Sequence, residues 1–513
     1  MFRTNVPVTA TDFFNRREEL NRLKQLADAL SAGAPQWLAV IGRRKVGKTS
    51  LLLELRRRVD RKSTAFVVID TFEEQPLSAA VFYRYALRLV DAVFSAEAGV
   101  SLEVMSFSPS AYRKALQSSD RFMKLPPELR GRILELPERA SGKNFINEAL
   151  QLPEEVAEAL DMSILVAWDE FQELAGLPKG KKNPEVFHLM RATWQHHNRV
   201  AYVISGSAPT MLKDLVLSSA SPFFQHFDIM TLGNLPQSDA LTLLIDSAPE
   251  GRPVPATVAE RAATILGDHP FYLQLFGETL TSRLPPYDET SLQSALQDLL
   301  FSRTGRLALY FENEFKKLVG KSTFLAAVLN AVCAAPKTLT DISRQIGSPS
   351  GATLRYIERL GDAVARNSDG LYRIDDPVFG LWLQWRQPGG TVIPMTLVGD
   401  AAEKEVAFGL AKMGFDLVYQ SRASRGSFDL LATRGHIQLG VQVKRTALPV
   451  RINIGDWKRM EADAERFGWR WVIATVDPKT DALHFLDHQK AIIKRQAVLN
   501  QDAEIENLLR WLD

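Results

Sequence analysis

One octapeptide, Gly42-Arg43-Arg44-Lys45-Val46-Gly47-Lys48-Thr49, constrains this chain more than any other feature, because few backbones can use it. Its two glycines permit a tight loop, and the residues that follow, Ser50-Leu51-Leu52-Leu53-Glu54-Leu55, are good helix formers. Before the loop, Trp37-Leu38-Ala39-Val40-Ile41 is a short continuous apolar run, the mark of a strand buried on both faces. Strand, glycine loop and helix in that order form a cradle for a triphosphate. Backbone N–H groups wrap the anion, Lys48 reaches its β and γ phosphates, the Thr49 hydroxyl takes Mg²⁺, and the helix N-terminus adds its dipole. The pattern implies ATP and Mg²⁺ as cofactors, with Gly42, Gly47, Lys48, Thr49 and Ser50 against the nucleotide.

Three more buried-strand runs follow, Ala65-Phe66-Val67-Val68-Ile69-Asp70, Ser163-Ile164-Leu165-Val166-Ala167-Trp168 and Val200-Ala201-Tyr202-Val203-Ile204-Ser205. Alternating with helical stretches, they predict an α/β fold with a parallel sheet covered on both faces. At 513 residues the chain is too long for one core and should divide into several domains. We expect an α/β unit over 1–236 with a Pro-punctuated helical insertion at about 101–160, then a helical lid over 237–318. Over 319–390, helices at 324–332, 339–346 and 353–360 with a hairpin around Asp369-Gly370 predict a winged helix-turn-helix. Pro388-Gly389-Gly390 reads as a linker to a second, smaller α/β unit over 395–513. In that unit we expect helices at 403–413 and 456–467 and strands at 415–418, 428–433, 438–444 and 471–476.

The third apolar run ends in Trp168-Asp169-Glu170. Such an ending can simply mark a strand meeting solvent. Beside a phosphate loop, it supplies Asp169 to the Mg²⁺ shell and Glu170 as the base that orients an attacking water.

These residues, with Phe14-Asn15-Arg16-Arg17-Glu18-Glu19-Leu20, Ser205-Gly206-Ser207 and Gly267-Asp268-His269-Pro270, make residues 1 to about 390 resemble the archaeal-type ATPases of the STAND and AAA-like P-loop branch. The resemblance implies ATP binding with slow hydrolysis used as a conformational switch, often in a homo-oligomer or with a partner protein as trigger. It also makes Ser207 a γ-phosphate sensor and sets His269 and Pro270 of the lid against the nucleotide. Relatives place an arginine where Ser221-Pro222-Phe223-Phe224-Gln225-His226 has His226. An arginine finger would then come from Arg191, Arg199 or a neighbouring subunit.

A second constellation lies near the C-terminus, in Gly426-Ser427-Phe428-Asp429-Leu430-Leu431 and Gly440-Val441-Gln442-Val443-Lys444. Strand periodicity sets Gln442 and Lys444 on one face and Val441 and Val443 on the core face. Asp429 approaches the polar face across a hairpin, and Glu403 sits on a helix that turns Val406 and Leu410 inward. Carboxylates, an amide and a lysine around one strand pair are the ingredients of Mg²⁺-assisted phosphodiester cleavage, with Asp429 and Gln442 on the metal. The arrangement resembles the PD-(D/E)-x-K nuclease fold in its restriction-endonuclease-like and Holliday-junction-resolvase-like members. By that likeness Glu403, Asp429, Gln442 and Lys444 are the catalytic set, with Gln442 standing where most members carry an acid and Phe428 where most carry proline.

Charge nominates no partner in bulk, since 62 basic and 60 acidic residues leave a net +2. DNA is expected locally, along Arg422, Arg425, Arg434, Lys444, Arg445 and Arg451 and on Arg355, Tyr356 and Arg359 of the third winged-helix helix. Adjacent His196 and His197 point apart on a helix and read as a surface feature. One cysteine, Cys333, excludes an internal disulfide framework and a cysteine zinc site. With no apolar run long enough to span a membrane, a cytoplasmic protein is expected. The reading is an ATP-dependent switch that controls a metal-dependent DNA endonuclease, in defence against foreign DNA or in DNA processing. Its alternatives are a DNA-binding or signalling switch with an inactive nuclease-like domain, and a transcription regulator acting through the winged helix.

Overall fold

The structure is a computed structural model that describes residues 2–60, 63–73, 77–138, 145–177, 186–302, 304–333, 335–385, 401–415, 417–420, 427–434 and 437–512. The predicted linker at 388–390 lies outside them, as do Arg422 and Arg425. The chain divides into two compact units, one of residues 3–239 with 269–271, the other of residues 1–2, 240–268 and 272–513.

The first unit is built on five strands, β1 (Trp37–Ile41), β2 (Thr64–Asp70), β3 (Ser163–Asp169), β4 (Val200–Gly206) and β5 (Asp228–Thr231). All neighbours pair in parallel in the order β2-β3-β4-β1-β5, giving the α/β parallel sheet expected. Period-two alternation explains why the strands read as unbroken apolar runs. Leu38 and Val40 face one core with Leu165, Ala167, Ala201 and Val203, while Ala39 and Ile41 face a second core with Ile164, Val166, Trp168, Tyr202 and Ile204. The first core is closed by helices Arg17–Ser31 and Lys48–Arg58, the second by Ala80–Ala98 and Phe145–Leu160. β5 was not anticipated, because Asp228-Ile229-Met230-Thr231 has polar ends and only Met230 is buried.

The predicted insertion is a set of short helices with local start signals. Pro109–Gln117 and Pro127–Leu134 begin on proline, and Ser119 caps Asp120–Met123 by accepting the Phe122 N–H. Tyr112, Leu116, Phe122, Leu129 and Ile133 pack into the second core, so the insertion adds a layer to it.

Beyond residue 239, helices Ala256–Leu266, Pro270–Thr281, Glu289–Leu300 and Arg306–Val319 follow, the last carrying a buried stripe of Leu307, Phe311, Phe315 and Val319 at four-residue spacing. Helices Thr323–Val332, Leu339–Ile346 and Ser350–Leu360 come next, with a hairpin of β6 (Val364–Arg366) and β7 (Tyr372–Ile374).

The remaining sheet contains β8 (Leu417–Gln420), β9 (Leu430–Arg434), β10 (Ile437–Lys444), β12 (Arg470–Val476) and β13 (Leu483–Asp487), in the order β13-β12-β10-β9-β8. β10 and β12 are parallel and the other neighbours antiparallel. Helix Ala401–Lys412 covers one face through Ala402, Val406, Ala407 and Leu410, which meet Val441, Val443, Val472 and Ala474. β11 (Val450–Asn453), β14 (Ile492–Ile493) and β15 (Gln496–Leu499) form a small additional sheet that the periodicity did not reveal. Among the described residues no helix is long and apolar enough to cross a membrane.

Candidate functional sites

The phosphate loop leaves the carboxyl end of β1 at Gly42, where space demands glycine: a Cβ would lie 2.4 Å from the Leu232 carbonyl oxygen. Gly47 closes the loop at φ +102°, a conformation that a side chain would strain. Helix Lys48–Arg58 starts on the next residue, so its first-turn N–H groups, which have no intrahelical acceptors, border the loop. Lys48 is only 4% exposed, and its ammonium donates to the carbonyls of Gly42 and Arg43, both at 2.9 Å. Burial lowers its pKa while the Glu170 and Asp169 charges oppose that drift, so the ammonium is held inside the loop.

Asp169 ends β3 and is 2% exposed. Thr49 donates its hydroxyl to one carboxylate oxygen at 2.5 Å, and the Ser205 hydroxyl donates to the other. Thr71, just after β2, donates to the Asp169 main-chain carbonyl at 2.9 Å. The loop, β3 and β4 therefore converge on one carboxylate. Mg²⁺ is commonly held by one or two carboxylates plus substrate phosphates, and Asp169 beside the Thr49 hydroxyl is a donor set that suits it.

Glu170 turns into the left-handed region at φ +53°. One of its oxygens accepts the Ser207 N–H at 3.0 Å, the Ser207 hydroxyl at 2.6 Å and the Gln172 amide at 2.7 Å. The predicted base and the predicted sensor thus meet directly. A Cβ at Gly206 would lie 2.0 Å from the Gln172 Oε1 and would have to push that amide aside.

His269 is 3% exposed, and burial together with the Arg43 charge pushes its pKa down to about 3, which keeps the imidazole neutral. Lys45 Nζ sits 5.0 Å above the Phe271 ring. The segment from His269 through Pro270 to Phe271 thus lies on the loop. Ser50 behaves differently from the expectation that it touches nucleotide: its hydroxyl accepts the Val8 N–H at 3.1 Å and is turned to the N-terminal segment.

Three contributors escaped the sequence reading. Arg16, at φ +61° and 7% exposed, donates to the Val46 carbonyl at 3.2 Å and the Gly233 carbonyl at 2.6 Å, tying the loop to the segment after β5. Gln172 holds Glu170, as described. Asp70 pairs in register with Asp169, and burial pushes its pKa up to about 6 against the Phe72 N–H bond, with the Asp169 charge adding to the rise. Its signal was available, because β2 and β3 both end on aspartate.

The candidate fingers lie elsewhere. Arg191 donates to His226 at 3.4 Å, and the His226 ring packs 5.4 Å from that of Trp37, the first residue of β1. Arg199 precedes β4 and pairs with Asp161 at 2.8 Å. Both arginines are engaged at the amino-terminal edge of the sheet, whereas the loop is at the carboxyl edge. Neither serves the loop within its own chain. His197 is buried, with Nδ1 2.7 Å from the Tyr202 hydroxyl, so it is a core group and not the surface feature expected.

In the second unit, Asp429 immediately precedes β9, and its N–H bonds the Val441 carbonyl at 3.0 Å. Gln442 donates its amide to Asp429 Oδ2, and the Val443 N–H donates to the same oxygen at 2.7 Å. Burial raises the Asp429 pKa, while the Val443 bond, the Lys444 charge and the Gln442 bond draw it back. Val441 and Val443 are buried in the core, with Gln442 and Lys444 half-buried on the alternate face, as periodicity predicts. Glu403 stands half-buried in the first turn of helix Ala401–Lys412. Asp429 and the Gln442 carbonyl oxygen are hard oxygen donors of the kind that Mg²⁺ takes. Among the described residues no group of three or more His, Cys, Asp or Glu is arranged to hold a metal ion.

The described basic residues divide. Arg445 lies 3.6 Å from Asp481, while Arg451 is exposed on β11. On helix Ser350–Leu360, Arg355 and Arg359 are exposed and Tyr356 stacks on Phe324 at 5.2 Å.

Among solved structures, a Walker-type ATPase of Pyrococcus abyssi is similar over 75% of this chain and 99% of its own, at 17% identity and a TM-score of 0.55. The ORC2 protein of Aeropyrum pernix, in ADPNP–ADP complexes, matches over 75% of this chain and 97% of its own at 13% identity and a TM-score of 0.45. A Holliday junction resolvase, Hjc of Archaeoglobus fulgidus, matches over 20% of this chain and 94% of its own at 19% identity and a TM-score of 0.19. No curated protein matches. The family described as "ATPase domain predominantly from Archaea" matches residues 13–275, which include the loop, Asp169, Glu170, Ser207 and His269. With just over half of the chain matched, this protein belongs to that family of archaeal-type ATPases.

Proposed function

We propose that this protein is an ATP-dependent switch that controls a metal-dependent DNA nuclease carried in its C-terminal unit. The convergence of Asp429, Gln442 and Lys444 at one end of the β9–β10 hairpin carries the reading, because it supplies oxygen donors beside a cation. At the other site, Lys48 would transfer its donors from loop carbonyls to phosphate oxygens, and Thr49 and Asp169 are the residues that would hold Mg²⁺. Glu170, released from Ser207 and Gln172, orients the attacking water, and Ser207 moves its hydroxyl to the γ-phosphate. His269, Pro270 and Phe271 report the state of the loop to the helices beyond.

In the C-terminal unit Mg²⁺, when bound by Asp429 and Gln442, supplies Lewis acidity and a nucleophile at neutral pH. Lys444 steadies the phosphate, Glu403 completes the acidic side of the site, and exposed arginines track the backbone. We read residues 319–390 as a winged helix and 395–513 as the nuclease-like domain. With Arg191 and Arg199 engaged at the other edge of the sheet, assembly into a homo-oligomer is favoured, in which a neighbour completes the ATP site.

The test is incubation of the full chain with plasmid and branched DNA in Mg²⁺ or Mn²⁺, alongside Asp429→Ala and Lys444→Ala. Cleavage by wild type that either substitution abolishes is the expected result. Equal inertness of all three under every nucleotide condition would defeat the reading.

A further inference from the structure

Helix Pro377–Trp385 is pinned at both ends, to different parts of the second unit. At its start one Asp376 carboxylate oxygen accepts the Val378 N–H at 2.9 Å and the Phe379 N–H at 3.2 Å, capping the helix. The other oxygen accepts the Tyr272 hydroxyl at 2.5 Å. Tyr272 directly follows Phe271, in the first turn of helix Pro270–Thr281, so the bond begins one residue from the segment that lies on the phosphate loop. Along the helix, Phe379 and Trp382 stack at 5.9 Å and both pack on Phe311, which is 5.6 Å from the Tyr272 ring. At its far end Gln384 uses both halves of its amide. The nitrogen donates to the Cys333 carbonyl at 2.6 Å, where helix Thr323–Val332 ends, and the oxygen accepts the Gln438 amide of β10. Gln438 lies two strand periods before Gln442, on the same face of β10 and about 13 Å away along the strand.

A second contact bears on movement. Helix Glu289–Leu300 packs on β8, the last strand in the sheet order among the described residues. Its Gln293 and Gln297 amide nitrogens, one helical turn apart, are buried without an acceptor. Buried unpaired donors destabilise the arrangement that holds them, and a free strand edge carries main-chain carbonyls, so a shift that joined the two would be favourable.

We propose that helix Pro377–Trp385 is a strut through which nucleotide at the phosphate loop sets the position of β10, the strand that carries Gln442 and Lys444. The inference rests on reading the C-terminal site as a nuclease under nucleotide control, and deepens it by naming the element that regulates the site. The Tyr272–Asp376 bond is the input, the packed rings of Phe311, Phe379 and Trp382 stiffen the strut, and the Gln384–Gln438 contact is the output. Close-packed side chains transmit strain, which is what lets a short helix carry the displacement.

Hydrogen–deuterium exchange of the full chain, followed by mass spectrometry with and without a hydrolysis-resistant ATP analogue, tests this. In wild type the analogue should change exchange of the β10 amides about 5- to 150-fold, the range of ordinary coupling between two sites. Tyr272→Phe deletes only the input oxygen and Gln438→Ala only the output amide. Each should bind the analogue with wild-type affinity and lose the response in β10, while the phosphate-loop amides still respond and show that the variant is folded and loaded. A wild-type β10 indifferent to the analogue overturns the proposal, as does an undiminished response in both variants. If β10 responds as expected but the chain cuts no DNA, the strut stands and the nuclease reading falls. If both variants keep nucleotide-dependent cleavage of plasmid, the nuclease reading stands and the strut falls.

Discussion

Lys48 and Glu170 are each fixed by hydrogen bonds that the proposed ATP chemistry must break, and each makes a separate prediction. Lys48 donates to two loop carbonyls that must yield to phosphate, so Lys48→Ala loses both a charge and its bonds. Charge-assisted hydrogen bonds are worth about 1.5–3 kcal/mol each, so losing two should lower nucleotide affinity by roughly 10²–10⁴-fold, measured by titration with a fluorescent ATP analogue. Unchanged affinity would refute the loop assignment. Glu170 is held by Ser207 and Gln172, so Glu170→Gln should keep ATP binding and lower turnover by about 10²–10⁴, the usual contribution of a general base. Gln172 could be placed only by the fold, because it acts through a left-handed turn that single residues do not announce. By contrast, Asp169 and Lys48 were legible because strand end and loop each impose a residue type.

At the scale of elements, glycine placement decides whether the loop can exist. Gly42→Ala drives a Cβ against the Leu232 carbonyl at 2.4 Å, a backbone group that cannot rotate away. Overpacking of this kind costs about 1–3 kcal/mol, and we expect lower thermal stability together with weakened ATP binding, since the shift is taken up by the loop. The 269–271 segment adds a pH signature. His269 titrates near 3 when folded and near 6.5 when unfolded, so the unfolded state binds the proton first. The stability conferred by the neutral ring is present above about 6.5 and is lost progressively as pH falls towards 3. His269→Gln should flatten that acid limb in thermal melts from pH 7 to 5, and an unaltered limb would contradict the burial argument. The buried parallel strands, the amphipathic helices and the polar alternation at Gln442 and Lys444 were legible because their periods are strong. β5 and the β11-β15-β14 sheet were not, since they are short, polar-ended or stabilised by distant partners.

Across the whole molecule, the phosphate loop and the Asp429 cluster stand in separate compact units, and a net charge of +2 conceals both because the acids that balance the bases include Asp169, Glu170 and Asp429. The archaeal-type ATPase family accounts for residues 13–275, and the nuclease part of the proposal rests on the residues beyond it. Engagement of Arg191 and Arg199 at the far edge of the sheet predicts that hydrolysis per chain rises with protein concentration as a neighbour completes the site. Specific ATPase activity measured across a dilution series checks this, and a concentration-independent rate would remove the need for assembly. The central claim is that nucleotide at Lys48 governs cleavage at Asp429. It is tested most directly by the rate of plasmid cleavage in Mg²⁺ with ATP, with ADP and without nucleotide, for wild type and Lys48→Ala. The account predicts a nucleotide-dependent rate in wild type that becomes nucleotide-independent in the variant; equal rates in wild type under all three conditions would contradict it.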